Sequence, residues 1–145
     1  MQIRQLPPLA ALRRQVRLTI PEIGAESGPA LQALTDEARQ RRLAVSGPPV
    51  FRALGMPRDT TTRFDMEFCL PVEASADGAL PALNCACLVH HGPLSTLFEA
   101  GYAPLLAAME QAGLQPGRES REVYHQWQGP ESPDNRIEIQ IAIAE

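Results

Sequence analysis

The chain has 145 residues, of which 44% are hydrophobic and 21% are charged, and its formal net charge at pH 7 is −4. This length and composition predict one globular domain over residues 1–145 and exclude a long disordered segment. The acidic balance argues against nucleic acid as the main partner, because phosphate binding needs a concentrated basic surface. The sequence has no apolar run of the ~20 residues that a membrane span requires and no signal-peptide core, so we expect a cytoplasmic protein.

The three cysteines, Cys69, Cys85 and Cys87, form an odd set without C-x-x-C spacing. Cys85 and Cys87 are two positions apart on a predicted strand and therefore point the same way. We expect small, buried, apolar thiols in a reducing compartment; a zinc site shared with the histidines is the alternative. The sequence contains no P-loop, dinucleotide fingerprint or metal signature, so we predict neither a cofactor nor a metal.

In the first half of the chain, hydrophobic patterning and turn residues predict strands around one helix. The predicted elements are an extended piece at Gln2–Leu6, strands at Leu9–Ile20, Val50–Leu54 and Thr61–Pro71, and a helix over Pro29–Arg42. The helix should bury a stripe formed by Leu31, Leu34 and Ala38, with Ala30 beside them. One face of the last strand carries Phe64, Met66, Phe68 and Leu70.

The second half repeats this order after a polar connection at Glu73–Gly78. The predicted elements are strands at Asn84–His91, Ser120–Gln128 and Arg136–Ala144 and an amphipathic helix over Leu94–Ala112. Alternation along the middle strand places Glu122, Tyr124 and Gln126 on one face, and Val123, His125 and Trp127 on the other.

The order strand–helix–strand–strand thus occurs twice, over about residues 9–71 and 83–144. We therefore predict an α+β protein of two pseudo-symmetric βαββ units, each with an antiparallel sheet and one main helix. One such unit cannot cover its own apolar face, so two units should pack together and leave a cleft at the seam between them.

Five segments resemble, in their order along the chain, the gyrase-inhibitor-like (GyrI-like) effector-binding domain. They are PEIGAESGPAL, GPPVFRALG, FDMEFCLPV, VHHGPLSTLFEAGYAPLLAAMEQAGLQPGRESREVY and RIEIQIAI. The resemblance covers essentially the whole chain, and its specificity lies in the ordered set. That domain occurs alone and also fused to DNA-binding segments in regulators of the AraC and MerR types. The resemblance implies two pseudo-symmetric βαββ units and a small-molecule pocket that is lined by aromatic residues and often holds an acidic one.

The resemblance also assigns roles to single residues. Glu122 and Tyr124 match the E and Y of the family's R-E-(V/I)-Y strand, and Tyr102 matches its mid-helix aromatic. The chain departs from the family at Leu94, where an aromatic residue usually follows Gly-Pro. It departs again at His125, where some drug sensors place a buried glutamate, and this weakens the expectation of a preference for cationic drugs.

A carboxylate at Glu122 beside aromatic rings has two chemical uses. It can pair with a ligand cation that also stacks on the rings, a contact worth about 2 kcal/mol when desolvated. Alternatively, burial can raise its pKa so that it donates a proton to a strained leaving group. The alternative without a ligand is a solvated strand residue opposite a basic partner.

Four further residues complete the candidate ligand-binding set: Phe98, His91, His125 and Trp127. Phe98 is either a core residue or a ligand contact, and Trp127 is either a stacking platform at the rim or a cap on the core. His91 begins the His-Gly-Pro turn that matches the family, but the adjacent His90 must point to the opposite face of the strand. His125 is a weak candidate for a catalytic base, because the sequence has no Ser or Cys nucleophile at a recognisable nucleophile elbow.

We expect a binding module for a small lipophilic molecule, neutral or cationic, that acts in sensing or sequestration. The first alternative, implied by some family members, is a hydrolase of cyclopropane-bearing or similar electrophilic xenobiotics with Glu122 as its catalytic group. The second is a protein-interaction modulator that binds a topoisomerase such as gyrase, or a regulator. We expect a monomer or homodimer without direct nucleic-acid binding. Because no DNA-binding helices precede the domain, a role in transcription should need a separate partner chain.

Overall fold

The computed structural model describes residues 1–73 and 79–145, which form one antiparallel sheet and two main helices. The α+β class predicted from the sequence is confirmed. The strands are β1 (Gln2–Leu6), β2 (Leu9–Leu18), β3 (Val50–Leu54), β4 (Phe64–Pro71), β5 (Ala79–Leu80), β6 (Leu83–His91), β7 (Pro116–Gln126) and β8 (Arg136–Ile143). The helices are α1 (Ile23–Gln40) and α2 (Ala103–Gln111). The predicted connection at Glu73–Gly78 lies, except for its first residue, outside the described residues.

Two strand–helix–strand–strand units meet at the centre of the sheet. The strand order is β1-β6-β8-β7-β3-β4-β2-β5, and all neighbours are antiparallel. Moving 71 positions along the chain takes Phe51 (51 to 122) to Glu122 and its β4 partner Phe68 (68 to 139) to Ile139, the β8 partner of Glu122. Phe51 and Glu122 also pair with each other across β3 and β7. The pseudo-twofold axis that relates the units therefore passes between these two residues.

The helix α1 begins earlier than the sequence predicts. The predicted start is Pro29, whereas the helix begins at Ile23 after a 3-10 turn over Ile20–Glu22. The backbone N–H of Thr19 donates to Oε1 of Glu22 at 2.9 Å, which satisfies a donor at the start of this turn. Pro29 removes one backbone donor inside the helix, but its fixed φ is close to the helical value. Pro21 and Glu22 are typical of a first helical turn, but the Gly- and Ser-containing stretch that follows them has no apolar period, and the predicted helix therefore starts at Pro29.

Both helices pack on the same face of the sheet, each over its own apolar cluster. The cluster under α1 includes the buried residues Ala30, Leu34 and Ala38 of the helix together with Phe64, Met66 and Phe68 of β4. The cluster under α2 includes Leu105 and Met109 of the helix and Ile137, Ile139 and Ile141 of β8. Full burial of each Leu, Ile, Phe or Met side chain in these clusters stabilises the fold by about 1.5–3 kcal/mol. Among the described residues, no helix has the length and apolar character that crossing a bilayer requires.

The opposite face of the curled sheet, which we call the concave face, carries a third cluster of buried residues, formed by Ala11, Val50, Cys69 and Leu80. All three cysteines lie there as free, buried thiols, as the sequence predicts. Burial raises the pKa of Cys69 to about 12 and that of Cys85 to about 11. Because the thiolate is the reactive form of cysteine, these side chains are packing residues rather than nucleophiles at neutral pH.

Candidate functional site

The centre of the sheet lies between the two helices, and we call this region the central cleft. The helix α1 packs over β2 and β4, and α2 packs over β6, so the central strands β3 and β7 lie between them. The floor of the cleft is formed by helix-facing side chains of these strands, which include Phe51 and Ala53 from β3 and Glu122 and Tyr124 from β7. This region is the seam between the two units, where the sequence predicts a cleft.

Glu122 accepts hydrogen bonds from two tyrosine hydroxyls. The hydroxyl of Tyr102 donates to Oε2, and the hydroxyl of Tyr124 donates to Oε1 at 2.7 Å. Tyr124 lies two residues along the same strand, whereas Tyr102 reaches across from the helical turn before α2. Within the described residues, no arginine or histidine pairs with this carboxylate. Residues 1–73 and 79–145 thus hold the Glu122 side chain with two neutral dipoles and no cation.

Burial raises the pKa of Glu122, and the hydrogen bonds from Tyr102 and Tyr124 oppose this rise without cancelling it. Part of the residue's surface remains accessible, but protein atoms surround the carboxylate closely enough for desolvation to dominate. Burial also raises the pKa of each tyrosine, and the adjacent carboxylate raises it further. Both hydroxyls therefore remain protonated donors at neutral pH.

A π-turn places Tyr102 over the cleft. The sequence predicts one helix over Leu94–Ala112, but this segment is divided into a 3-10 turn at Leu94–Thr96, a π-turn at Phe98–Tyr102, and α2. The N–H of Ala103 donates to the carbonyl of Phe98, five residues earlier. Pro104 follows at the start of α2, and it has no N–H to continue the regular ladder. The regular ladder of hydrogen bonds is thus interrupted by a wider turn just before Pro104.

Aromatic rings extend from the cleft floor to its rim. The ring centroids of Phe51 and Tyr124 are 4.5 Å apart, and those of Tyr124 and Trp127 are 5.6 Å apart with the planes at 75°. Strict alternation predicts that Trp127 and Tyr124 lie on opposite faces, and this is wrong. A register shift between Tyr124 and Gln126 breaks the alternation, and Trp127 lies just beyond the end of β7. Trp127 is 45% exposed, so it lies at the rim.

Phe98 lies on the same π-turn as Tyr102 but is 65% exposed. It makes no ring–ring contact within the described part of the chain. Phe98 is therefore not a core residue, and the alternative of a surface-accessible contact residue is the one that its position supports.

The two candidate histidines lie away from Glu122. His125 follows Tyr124 on the opposite face of β7, where its Nε2 lies 2.9 Å from Oε1 of Glu138. His91 is exposed at the end of β6, paired in register with Arg136. The adjacent His90 is the buried histidine, and its Nε2 lies 3.1 Å from the carbonyl oxygen of Pro93. The structure thus brings together Tyr102, Glu122 and Tyr124, with Trp127 beside them, but not His91 or His125.

Glu138 is a second buried carboxylate, on β8 and on the concave face. Its Oε2 accepts from Arg4 at 2.9 Å and from Gln140 at 2.7 Å, and its Oε1 lies against His125. Burial alone would raise the pKa of Glu138, but the bonds from Gln140 and His125 and the charge of Arg4 outweigh it, so the pKa is lowered. This carboxylate is satisfied by the protein itself.

Sequence reasoning missed a buried ion network on the concave face. Arg52 of β3 donates to Glu67 at 2.7 Å and to Glu119 at 2.8 Å. Arg121 of β7 donates to Glu119 at 2.7 Å and to the carbonyl of Pro81. Charged residues that alternate with apolar ones predict a solvated strand face, and the curl of the sheet, which buries this face, has no local sequence signal. A depression of about 340 Å³ adjoins this network, lined in part by Arg17, Arg52 and Arg118.

No protein-family model and no curated protein sequence matches the chain. Solved structures do match it. The chain aligns over 99% of its length with EcmrR in its DNA complex within EcmrR-RPo and with the EcmrR C-terminal domain alone, in both cases at 19% identity and a TM-score of 0.75. The chain spans 57% of the length of EcmrR in the DNA complex and 96% of the isolated C-terminal domain.

Two more distant structures have the same arrangement. One is a putative bacterial transcription regulation protein from Staphylococcus aureus MU50, at 13% identity and a TM-score of 0.57 over 99% of this chain and 97% of that one. The other is SAV2435 bound to tetraphenylphosphonium, at 12% identity and a TM-score of 0.56 over 99% of this chain and 93% of that one. The chain therefore has the fold of the EcmrR C-terminal domain and of SAV2435.

Proposed function

We propose that this chain is a member of the GyrI-like family and binds a small lipophilic cation in the central cleft, for sensing or sequestration. The observation that carries this proposal is the carboxylate of Glu122, which is held by the hydroxyls of Tyr102 and Tyr124 and has no cation partner in the described chain. The fold shared with the EcmrR C-terminal domain supports the family assignment.

The electrostatics of Glu122 favour a cationic ligand. A buried carboxylate is costly unless it is paired, and two tyrosine hydroxyls compensate only part of that cost, because the pKa stays raised. Each carboxylate oxygen can accept about two hydrogen bonds, and each has one from a tyrosine. A cation that enters the cleft supplies the missing charge. It need not donate a hydrogen bond, since Coulomb attraction and ring contact are sufficient.

The rim of the cleft offers apolar surface for the rest of the ligand. Trp127 keeps 45% of its surface exposed beside Tyr124, and Phe98 keeps 65% exposed on the π-turn. An aromatic side chain buries about 150–250 Å² when covered, so a large ring left open beside Tyr124, as Trp127 is, favours a lipophilic occupant. SAV2435, which shares the fold, has been solved with tetraphenylphosphonium, a cation of this chemistry.

Calorimetric titration with a charged and a neutral ligand tests the proposal. We expect the wild-type chain to bind tetraphenylphosphonium more tightly than neutral triphenylphosphine oxide. Glu122→Gln should weaken binding of the cation by about 2 kcal/mol, roughly thirtyfold, and leave binding of the neutral compound unchanged. Glu99→Gln is the matched control, because Glu99 is exposed on the π-turn and the substitution removes the same charge. Equal affinity of wild type and Glu122→Gln for the cation would contradict the proposal.

A second candidate is hydrolysis with Glu122 as general acid. The raised pKa of Glu122 supports it, because a carboxyl that burial makes less acidic keeps its proton to a higher pH and can donate it to a leaving group. Mass spectrometry of the chain with a cyclopropane-bearing electrophile would show a ring-opened product that Glu122→Gln does not form. If the mutant forms product at the wild-type rate, Glu122 takes no part in the reaction.

A further inference from the structure

The π-turn approaches the sheet unusually closely at Gly101. A Cβ atom placed on this buried glycine would lie 2.6 Å from Cδ1 of Ile139 and 3.5 Å from Cβ of His90. A separation of 2.6 Å between carbon atoms is a steric clash, so a side chain here must displace either the Cδ1 end of Ile139 or the turn itself. Ile139 is fully buried, so its Cδ1 has little free space to move into, and the displacement falls at least in part on the turn. Ile139 is also the residue of β8 that lies directly opposite Glu122.

In the first unit, the position equivalent to Gly101 is occupied by an alanine. The offset of 71 positions takes Ala30 (30 to 101) to Gly101, and it takes Leu34 (34 to 105) and Ala38 (38 to 109) to Leu105 and Met109. All of these residues are buried against the sheet. At the equivalent place α1 therefore carries a methyl group, whereas the second unit has no side chain. The turn of the second unit can lie closer to its sheet for this reason.

The close approach has a consequence one residue later. Tyr102 follows Gly101, and its hydroxyl must cross from a turn over β6 and β8 to the carboxylate of Glu122 on β7. Its equivalent in the first unit is Leu31 (31 to 102), which carries no polar group to place. Lifting the turn by even a few tenths of an ångström should lengthen the hydrogen bond from Tyr102, because Glu122 belongs to β7 and does not move with the turn.

We propose that Gly101 is a positioning residue for the ligand site: its contact with Ile139 sets the height of the π-turn and thereby keeps the Tyr102 hydroxyl on Glu122. This inference rests on the proposed function only for its binding readout. Tyr102 and Tyr124 both donate to the Glu122 carboxylate. If the Tyr102 hydroxyl moved away, Tyr124 alone would hold it.

The first test removes the close approach and then restores it. Gly101→Ala should weaken tetraphenylphosphonium binding, because a Glu122 carboxyl with one donor fewer keeps its proton to a higher pH and loses the charge that attracts the cation. The loss should be roughly tenfold for each unit by which the pKa of Glu122 comes to lie above the assay pH. Ile139→Val deletes the methyl group that the new Cβ would meet, so Gly101→Ala/Ile139→Val should recover most of the affinity. Gly24→Ala in α1 is the matched control, since a Cβ there meets nothing within 4 Å. Wild-type affinity in Gly101→Ala, or no recovery in the double variant, would overturn the proposal.

A double-mutant cycle shows whether Gly101 acts through Tyr102. Tyr102→Phe removes the hydroxyl and should weaken cation binding about as much as Gly101→Ala. In the Tyr102→Phe background the alanine should have no further effect on affinity, because the bond that it disturbs is already gone. Additive losses would mean that Gly101→Ala damages the cleft by another route and would overturn the positioning role.

A measurement without ligand separates this inference from the proposed function. Titration of the Glu122 carboxyl by NMR should show its pKa raised further in Gly101→Ala, because one of the two donors that lower it is lost. The pKa should return towards the wild-type value in Gly101→Ala/Ile139→Val. This result stands even if the wild-type chain binds no cation, whereas an unchanged titration curve would reject the positioning role whatever the chain binds.

Discussion

Glu122 and Glu138 are two buried carboxylates on adjacent strands and opposite faces of one sheet. Glu138 has Arg4, His125 and Gln140 around it, and its pKa is lowered. Glu122 has two tyrosine hydroxyls and no cation in the described chain, and its pKa is raised. Burial is therefore not what distinguishes a structural carboxylate from a candidate ligand anchor. The difference lies in whether the protein supplies the opposite charge.

The largest expected effect follows from removing the satisfied carboxylate. Glu138→Ala should destabilise the chain by about 2–3 kcal/mol, because Gln140 and His125 lose their acceptor and Arg4 loses its counter-charge. Glu122→Gln should not destabilise the chain in this way at neutral pH, since it removes a charge that the fold does not neutralise. Urea denaturation of both variants measures the difference. Similar losses in the two would remove the distinction between the sites.

The two sites should also respond to pH in opposite directions. The pKa of Glu138 is lowered in the folded chain, so its contribution to stability is present above the ordinary value of 4.5 and is lost as the pH falls through the folded pKa. The pKa of Glu122 is raised, so its contribution is full below 4.5 and is lost as the pH rises through the folded pKa.

Urea denaturation between about pH 3 and about pH 7 checks this contrast. Glu122→Gln should gain stability relative to the wild type as the pH rises, by about 1.4 kcal/mol for each unit by which the folded pKa exceeds the unfolded one. Glu138→Gln should approach the wild type as the pH falls. Parallel pH profiles for both variants and the wild type would contradict the assigned directions.

The smallest expected effect concerns the outer partner of Glu138. The side chain of Arg4 is 45% exposed on the edge strand β1, so solvent screens its ion pair. Arg4→Ala should therefore cost less than about 1 kcal/mol of stability and leave cation binding unchanged. A loss as large as that of Glu138→Ala would mean that Arg4, rather than Gln140 and His125, satisfies this carboxylate.

The strands that the sequence predicts best are those with clear punctuation and alternation. Val50–Leu54 has its predicted bounds, since Gly-Pro-Pro precedes it and a glycine follows. Arg136–Ile143 differs from its prediction by one residue. The start of α1 was wrong because the capping interaction at Thr19 and Glu22 depends on contacts that apolar periodicity does not register.

The site was predictable in its chemistry but only partly in its geometry. Two residues apart on one strand, Glu122 and Tyr124 must share a face, and the structure brings them together. The sequence could not place Trp127, because an irregular pairing near a strand end reverses its direction. It could not show the partner of His125 either, because that partner, Glu138, comes from a neighbouring strand whose register is set by the whole sheet.

Tyr124 contacts both apolar clusters, the one under α1 and the one under α2. This one side chain therefore connects the cores of the two units, in addition to lining the central cleft. If the proposed ligand binds beside Tyr124, it contacts a ring that packs against the apolar clusters of both units. We therefore expect ligand binding to change the stability of the packing between the two units, and so to affect residues on both sides of the sheet.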